Sequence, residues 1–353
     1  MQDFRRILVV RTDRIGDVIL TLPMLEVLRR CYPHAHIAML VRHYTRGLLE
    51  GNLHIDEVLL YDDGVSLVPL GDMAGTIRER NFDVAFLTYP RFRLAWLIRR
   101  AGVPLRIGTG YRWYSFLFNK QVYVHRKIAE RHEAEYNIDL VKAVGCEVTD
   151  IPFPRLTVSQ RTADDVKRLL PRLSVSTNGR LVILHPGSGG SARDWSAKNF
   201  GLLGRRLAQL PDVHVVVTGG AGEESLAKQI ASTIGSDTPV VVNSLSLQQY
   251  AAFAAQASLL VANSTGPLHI AAAVGTPVVG LYPQVTAMNP SRWGPYTANK
   301  RILVPHGKPE DCRQCLTGEG TDCECMDSIT VDEVFAAAQS FLRVEHLSES
   351  KQY

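Results

Sequence analysis

Short apolar runs alternating with amphipathic helical stretches constrain this chain more than any other feature. Strand-like runs fall at Ile7–Val10, His36–Val41, Glu57–Tyr61 and Asp83–Leu87, with helical patterns at Ile15–Cys31, Tyr44–Glu50 and Val68–Arg80. A second series has strands at Leu181–His185, Val213–Thr218, Val240–Asn243, Leu259–Ala262 and Val278–Leu281. Its helices fit Ala197–Gln209, Glu223–Ile234, Leu247–Ala257 and Gly266–Val274. A strand apolar on both faces has no side to turn to water, so it belongs in a parallel sheet covered by helices above and below. Between the series, Thr149–Arg180 holds Pro152, Pro154 and Pro171 and ends in the Ser-, Thr-, Asn- and Gly-rich Ser174–Gly179. It reads as a linker plus one helix. The 353 residues therefore predict two α/β domains, 1–165 and 166–330, then a helix at Val331–Leu342 and a polar tail to residue 353.

Composition supplies bounds. Apolar residues make up 46% and charged residues 21%, enough apolar material for two cores. A net charge of +4 is too small to argue for nucleic acid as a partner. The charge is unevenly placed: ten basic residues run from Arg91 to Arg131 against only Glu130 and Glu133. Such a surface suits a phosphorylated or carboxylated partner or an anionic membrane face, although any single one of these cations reads as solvated surface. The start, MQDFRRILVV, lacks a secretory apolar core, and no uncharged apolar stretch reaches ~18 residues, so a cytoplasmic chain without a membrane span is expected. Cys31 and Cys146 read as isolated buried thiols. Cys312, Cys315, Cys323 and Cys325 cluster at spacings that zinc can accept.

The chemistry-bearing residues sit where strands end. Strand one runs into Arg11-Thr-Asp-Arg-Ile-Gly-Asp17 and then a helix. Open parallel sheets bind ligands at the carboxyl ends of their strands. This turn is not G-x-G-x-x-G, which removes the main support for a dinucleotide dehydrogenase. Asp13 and Asp17 lie one helical turn apart; one can face a cleft while the other accepts helix-start amides, and both read equally well as caps. In the second series, His185-Pro-Gly-Ser-Gly-Gly-Ser-Ala-Arg-Asp-Trp195 exposes amides beside the fixed cation Arg193, a set that suits a diphosphate. Thr218-Gly-Gly-Ala-Gly-Glu-Glu224 lets a nucleotide approach, with Glu223 able to accept ribose hydroxyls or to complement the helix dipole. Asn263-Ser-Thr-Gly-Pro-Leu-His269 opens a helix with free amides at Thr265 and Gly266. His269, one turn in, faces either the ligand or the core. Three anion-friendly turns on one sheet edge carry more weight than any one alone.

Together these residues resemble glycosyltransferase family 9, best known for the ADP-heptose:lipopolysaccharide heptosyltransferases. The resemblance covers nearly the whole chain. It rests on Arg11-x-Asp-Arg-Ile-Gly-Asp-x-Ile-Leu-Thr-x-Pro23, Arg106-Ile-Gly108 with His132-x-x-x-Tyr136, His185-Pro-Gly-Ser188, Gly219-Gly220 with Glu223, and Ser264-Thr-Gly-Pro-x-His269. It implies the GT-B architecture, two Rossmann-like domains facing across a cleft, and an inverting transfer from a nucleotide sugar such as ADP-heptose to a lipopolysaccharide core or similar glycan. No cofactor or metal is implied, and related members carry cysteines near the end without an evident metal role. Asp13 matches the catalytic base. Ser188, Arg193, Glu223, Ser264, Thr265, Gly266 and His269 match the donor side, with adenine near Asn243–Leu245. The family usually has Asp where this chain has Ser264, a departure that bears on the donor more than on the reaction type. Arg91, Arg93 and Arg112 are the acceptor-side candidates, for a lipid-linked or core oligosaccharide at the inner membrane face. The competing expectations are a GT-B transferase or epimerase for another nucleotide sugar, and a non-catalytic nucleotide-sugar binder.

Overall fold

The structure is a computed structural model that describes residues 3–176, 179–307 and 324–342. The first half builds a six-stranded parallel sheet from β1 (Arg6–Val10), β2 (His36–Val41), β3 (Glu57–Leu60), β4 (Val84–Leu87), β5 (Leu105–Thr109) and β6 (Lys120–Val122), in the order β3-β2-β1-β4-β5-β6. The second half builds another from β7 (Arg180–His185), β8 (Val213–Gly219), β9 (Val240–Val242), β10 (Ala257–Asn263), β11 (Val278–Leu281) and β12 (Lys300–Leu303), in the order β12-β11-β10-β7-β8-β9. Counted within its own half, the second order is the first one reversed, so one topology is used twice. The strand order turns back between β1 and β4 and again between β7 and β10. Crevices form at such points, and these two bracket the residues singled out above.

Ile7, Leu8, Val9 and Val10 of β1 and Leu259, Leu260, Val261 and Ala262 of β10 are fully buried, as two-sided coverage requires. Three strands were not expected. The apolar pattern of β5 is interrupted by Arg106, which nevertheless folds inward and donates to the carbonyls of Leu117 (2.8 Å) and Val103 (2.7 Å). Strands β6 and β12 are short, partly exposed edges. Helices α3 (Leu70–Glu79), α7 (Ala197–Ala208), α8 (Glu224–Ile234) and α9 (Leu247–Ala255) fall where the pattern puts them, whereas α4 (Phe92–Arg100) and α5 (Glu133–Lys142) are additions.

The helix expected over Ile15–Cys31 is two helices, α1 (Ile15–Ile19) and α2 (Leu22–Cys31). Pro23 explains the break, because it has no N–H and its ring collides with the carbonyl four residues back. Thr21 Oγ1 donates to the Asp17 carbonyl at 2.8 Å, and Asn137 Nδ2 donates to that of Leu20 at 3.1 Å, so the joint keeps its hydrogen bonds. Cys31 and Cys146, expected as separate thiols, form a disulfide with Cα atoms 6.1 Å apart. The end of α2 lies beside the chain that leaves α5, which brings into bonding range two cysteines 115 positions apart.

The linker helix α6 spans Gln160–Leu169, so the expected division after residue 165 falls within a helix. The halves are not separate bodies on a string. A single apolar cluster takes in Val9, Val18 and Leu25 from the first and Leu260, Leu268 and Ile270 from the second. The last helix, Val331–Leu342, buries Val334, Ala338 and Leu342 in the second half's other cluster, with Val182, Leu184 and Phe200.

Candidate active site

The end of β1 delivers Arg11 into the interior, only 2% exposed. A buried guanidinium needs anionic partners, and this one has three. Its Nε donates to Asp13 Oδ1 at 2.7 Å, its Nη1 to Glu133 Oε1 at 3.0 Å, and its Nη2 to Asp17 Oδ1. Asp17, open to a capping role in the sequence, is thus a partner of Arg11. The N-cap position of α1 is Arg14, whose side chain makes no capping bond. Burial pushes the Asp13 carboxyl up, Arg11 pulls it down and Asp17 pushes it up again, leaving it at about 7. Burial would also raise Glu133, but Arg126, Arg11 and Arg292 overcome it and hold that carboxyl at about 2. The Tyr44 hydroxyl donates to the Asp13 carbonyl at 2.6 Å and fixes the turn from outside.

The second half contributes three turns. Glu223 ties two of them together: its carboxylate accepts from the amides of Gly220 (2.7 Å) and Gly189 (3.1 Å). A Cβ on Gly187 would lie 2.1 Å from the Glu223 Cδ, so a larger residue there would push the carboxylate off these amides. His185, buried beneath, shares a hydrogen bond with Thr218 Oγ1 at 2.8 Å, and burial holds its pKa down at about 4. The third turn places Thr265 in extended geometry (φ −151°, ψ 162°) ahead of the helix α10 (Gly266–Ala273), with Pro267 in the first turn. A helix start of this kind aims amides and the positive end of the dipole outward. His269 is 6% exposed, its Nδ1 makes no hydrogen bond, and burial, with His132 and Lys300 nearby, holds its pKa down at about 3. It is a neutral imidazole.

Two connected cavities occupy the cleft. The larger, about 970 Å³, has Arg11, Asp13, Asp17, Arg126 and Glu133 on the first half's wall and Ser264, His269 and Arg292 on the second's. The smaller, about 450 Å³, is lined by Ser188, Glu223, Asn243, Leu245 and Tyr250. Arg14, Gly16, Tyr44, Ser191, Thr265 and Gly266 line both and mark where the two open into each other.

Most of the residues expected at the site converge here. Ser188, Glu223 and Asn243–Leu245 face the smaller cavity, Asp13, Ser264, His269, Arg91 and Arg112 the larger, and Thr265 and Gly266 the junction. Two do not. Arg193 is 4% exposed and lines neither cavity; the loop folds its stem inward ahead of the buried Trp195. Arg93 spends its guanidinium on the Tyr61 hydroxyl (2.7 Å) and the Val68 carbonyl (3.0 Å). Cys312, Cys315 and Cys323 lie outside the described residues; Cys325 sits in a short turn, where its carbonyl accepts from Ser328 Oγ at 2.7 Å. The cavity cations Arg14, Arg126 and Arg292 and the carboxylate Glu133 had not been assigned roles. For Glu133 the signal was weak, since its partners Arg11 and Arg292 are distant in sequence.

The family model for glycosyltransferase family 9 (heptosyltransferase) matches residues 71–320. The chain belongs to glycosyltransferase family 9. It is 29% identical over 352 residues to a Haemophilus influenzae protein provisionally named a glycosyltransferase, covering 96% of this chain and 97% of that one. It is 25% identical over 291 residues to lipopolysaccharide heptosyltransferase 2 of Salmonella typhimurium, covering 78% and 82%. The structure of the E. coli ADP-heptose lipopolysaccharide heptosyltransferase II superposes with a TM-score of 0.79 at 21% identity, over 96% and 98% of the two chains. This family 9 protein is accordingly a glycosyltransferase with the GT-B fold.

Proposed function

We propose that the enzyme transfers a heptose from ADP-heptose to a lipopolysaccharide core acceptor with inversion at the anomeric carbon. One observation carries this reading. The nucleotide-sized cavity, with Glu223 and the apolar Leu245 and Tyr250, meets the larger cavity at the amides of Thr265 and Gly266, and across that junction stands Asp13. The names of the relatives support the choice of sugar and acceptor.

In this reading an acceptor hydroxyl attacks the anomeric carbon as the bond to the diphosphate oxygen breaks. A sugar hydroxyl is a poor nucleophile, so Asp13 takes its proton as the new C–O bond forms. A carboxylate with a pKa of about 7 is matched to that task. The departing ADP gains charge, which Arg14 and the start of α10 offset with groups already in place. No metal is assigned to this step; turnover unchanged by EDTA is expected, and loss restored by Mg²⁺ would remove the assignment. A single in-line displacement inverts the sugar.

The acceptor approaches over Arg91 and Arg112. Beside them Trp113 is 73% and Phe116 69% exposed, and Phe92 stacks on Trp113 at 4.9 Å. Cations with exposed aromatics suit the interface of an anionic bilayer, and we place the working enzyme at the inner face of the cytoplasmic membrane. Among the described residues no helix is long and apolar enough to cross a membrane. The test is direct: purified protein is offered ADP-heptose, UDP-sugars and GDP-sugars with a heptose-bearing core oligosaccharide, and the product anomer is read by NMR. Transfer from a UDP- or GDP-sugar in preference, or retention of configuration, would overturn the proposal.

A further inference from the structure

The Glu133 carboxylate divides its two oxygens between the halves. Oε1 accepts from Arg11 (3.0 Å) and Arg126, both of the first half. Oε2 accepts from Arg292 Nε at 3.0 Å, with Nη2 at 2.9 Å, and Arg292 belongs to a short helix of the second half, Pro290–Trp293. Neighbouring contacts close the same seam. The Arg292 Nη1 donates to the Arg126 carbonyl at 2.8 Å, and the His132 Nε2 lies 2.7 Å from the Gly294 carbonyl. Glu133 is 1% exposed and opens α5, so its backbone is held by a helix and its side chain by three guanidiniums.

We infer that Glu133 is a positioning residue for transfer: through Arg11 it holds Asp13 in its working geometry, and through Arg292 it ties that geometry to the seating of the second half. An Arg11 fork anchored at three points can hold its Nε against Asp13 Oδ1; released at one point, it can swing into the adjacent cavity. The inference rests on Asp13 being the base.

Several groups act on Asp13. Arg11 and Asp17 reach it from its own segment, Tyr44 from the neighbouring turn, and Arg14, Arg126, His269 and Arg292 line the same cavity. Of these, Arg11 holds the carboxyl down most strongly. Loosening it raises the midpoint of Asp13; Glu133 is itself an anion in this cavity whose loss acts the other way, so a charge-balanced pair of substitutions isolates the effect of loosening.

The experiment is a carbon-13 titration of the Asp13 carboxyl, assigned by its loss in Asp13→Asn, in wild type and the double variant Glu133→Gln, Arg292→Gln, which removes one charge of each sign. Turnover of ADP-heptose and a core acceptor is followed in parallel. The midpoint should rise by about half a pH unit or more, and turnover at pH 7 should fall about tenfold or more. Where that double variant fails to fold, Glu133→Gln with Arg126→Gln, also charge-balanced, takes its place with the same expectation. A midpoint that stays or falls in a folded variant overturns the inference whatever turnover does. Full turnover in Asp13→Asn instead overturns the base assignment, and the inference with it, and is seen separately from the titration.

Discussion

The His269 ring of the second half lies against Gly16 of the first so closely that a Cβ at Gly16 would sit 2.8 Å from Cδ2 and 3.1 Å from Nε2. The imidazole is buried and has little room to retreat. Gly16→Ala should therefore force the halves apart at the junction of the two cavities. Overpacking of this kind costs about 1–3 kcal/mol, readable by denaturant unfolding. ADP affinity and turnover should fall together, because Gly16 lines both cavities. Wild-type kinetics with wild-type stability would show that the seam yields.

In the proposed reaction Asp13 must be ionised to accept a proton. Its pKa, raised from 3.8 to about 7, makes the active form dominant only above neutrality. Turnover should climb as pH rises through about 7 and then level off, while ADP binding stays nearly flat over that limb. Asp13→Asn should lose roughly 10²–10⁴ in turnover and all of this pH dependence. An acid limb that survives the substitution would assign it to another group.

Glu223→Gln tests the donor side. A carboxylate accepts from both Gly220 and Gly189; an amide offers one oxygen and turns an NH₂ toward one of those donors. Losing a charged hydrogen bond within the fold costs about 1.5–3 kcal/mol, readable by denaturant unfolding, and isothermal titration should find ADP bound more weakly as the two turns come apart. Thr265→Pro, which removes an amide at the start of α10, should weaken ADP as well. If Thr265→Pro leaves ADP affinity intact, the anion is held elsewhere.

The shelf of Trp113 and Phe116 should bind vesicles containing phosphatidylglycerol and not vesicles of phosphatidylcholine alone. Added salt should weaken binding through the arginines, since exposed charges more than about 8–10 Å apart are screened at physiological strength and above. The double variant Trp113→Ala, Phe116→Ala should sediment less with vesicles and keep its ADP affinity. Equal sedimentation of variant and wild type would move the docking face elsewhere.

Much of this was written in the order of residue types. β1, β2, β7 and β10 were legible because nearly every side chain in them is apolar, and the break before α2 is stated by Pro23. β5 was hidden because Arg106 neutralises its charge against carbonyls that only the folded chain supplies. The strand end drew attention to Asp13 but left it even with Asp17 as a cap; only the family resemblance singled it out. Glu133 was not legible, since its partners Arg11 and Arg292 stand 122 and 159 positions away. Arg193 looks available in a Gly-Ser loop, yet it is buried and lines neither cavity. The pairing of Cys31 with Cys146 had no local sign at all.

The smaller cavity has walls from both halves: Ile15 and Gly16 on one side, Gly220, Asn243 and Leu245 on the other. A nucleotide seated there is clasped by two bodies, and the clasp is fastened at Glu133–Arg292 and His132–Gly294, away from the nucleotide itself. Release then requires those fastenings to slip, a large-scale movement against solvent. The turnover number of such an enzyme carries friction: it should fall as sucrose thickens the medium, and Arg292→Lys, a looser fastening, should make it less sensitive to viscosity.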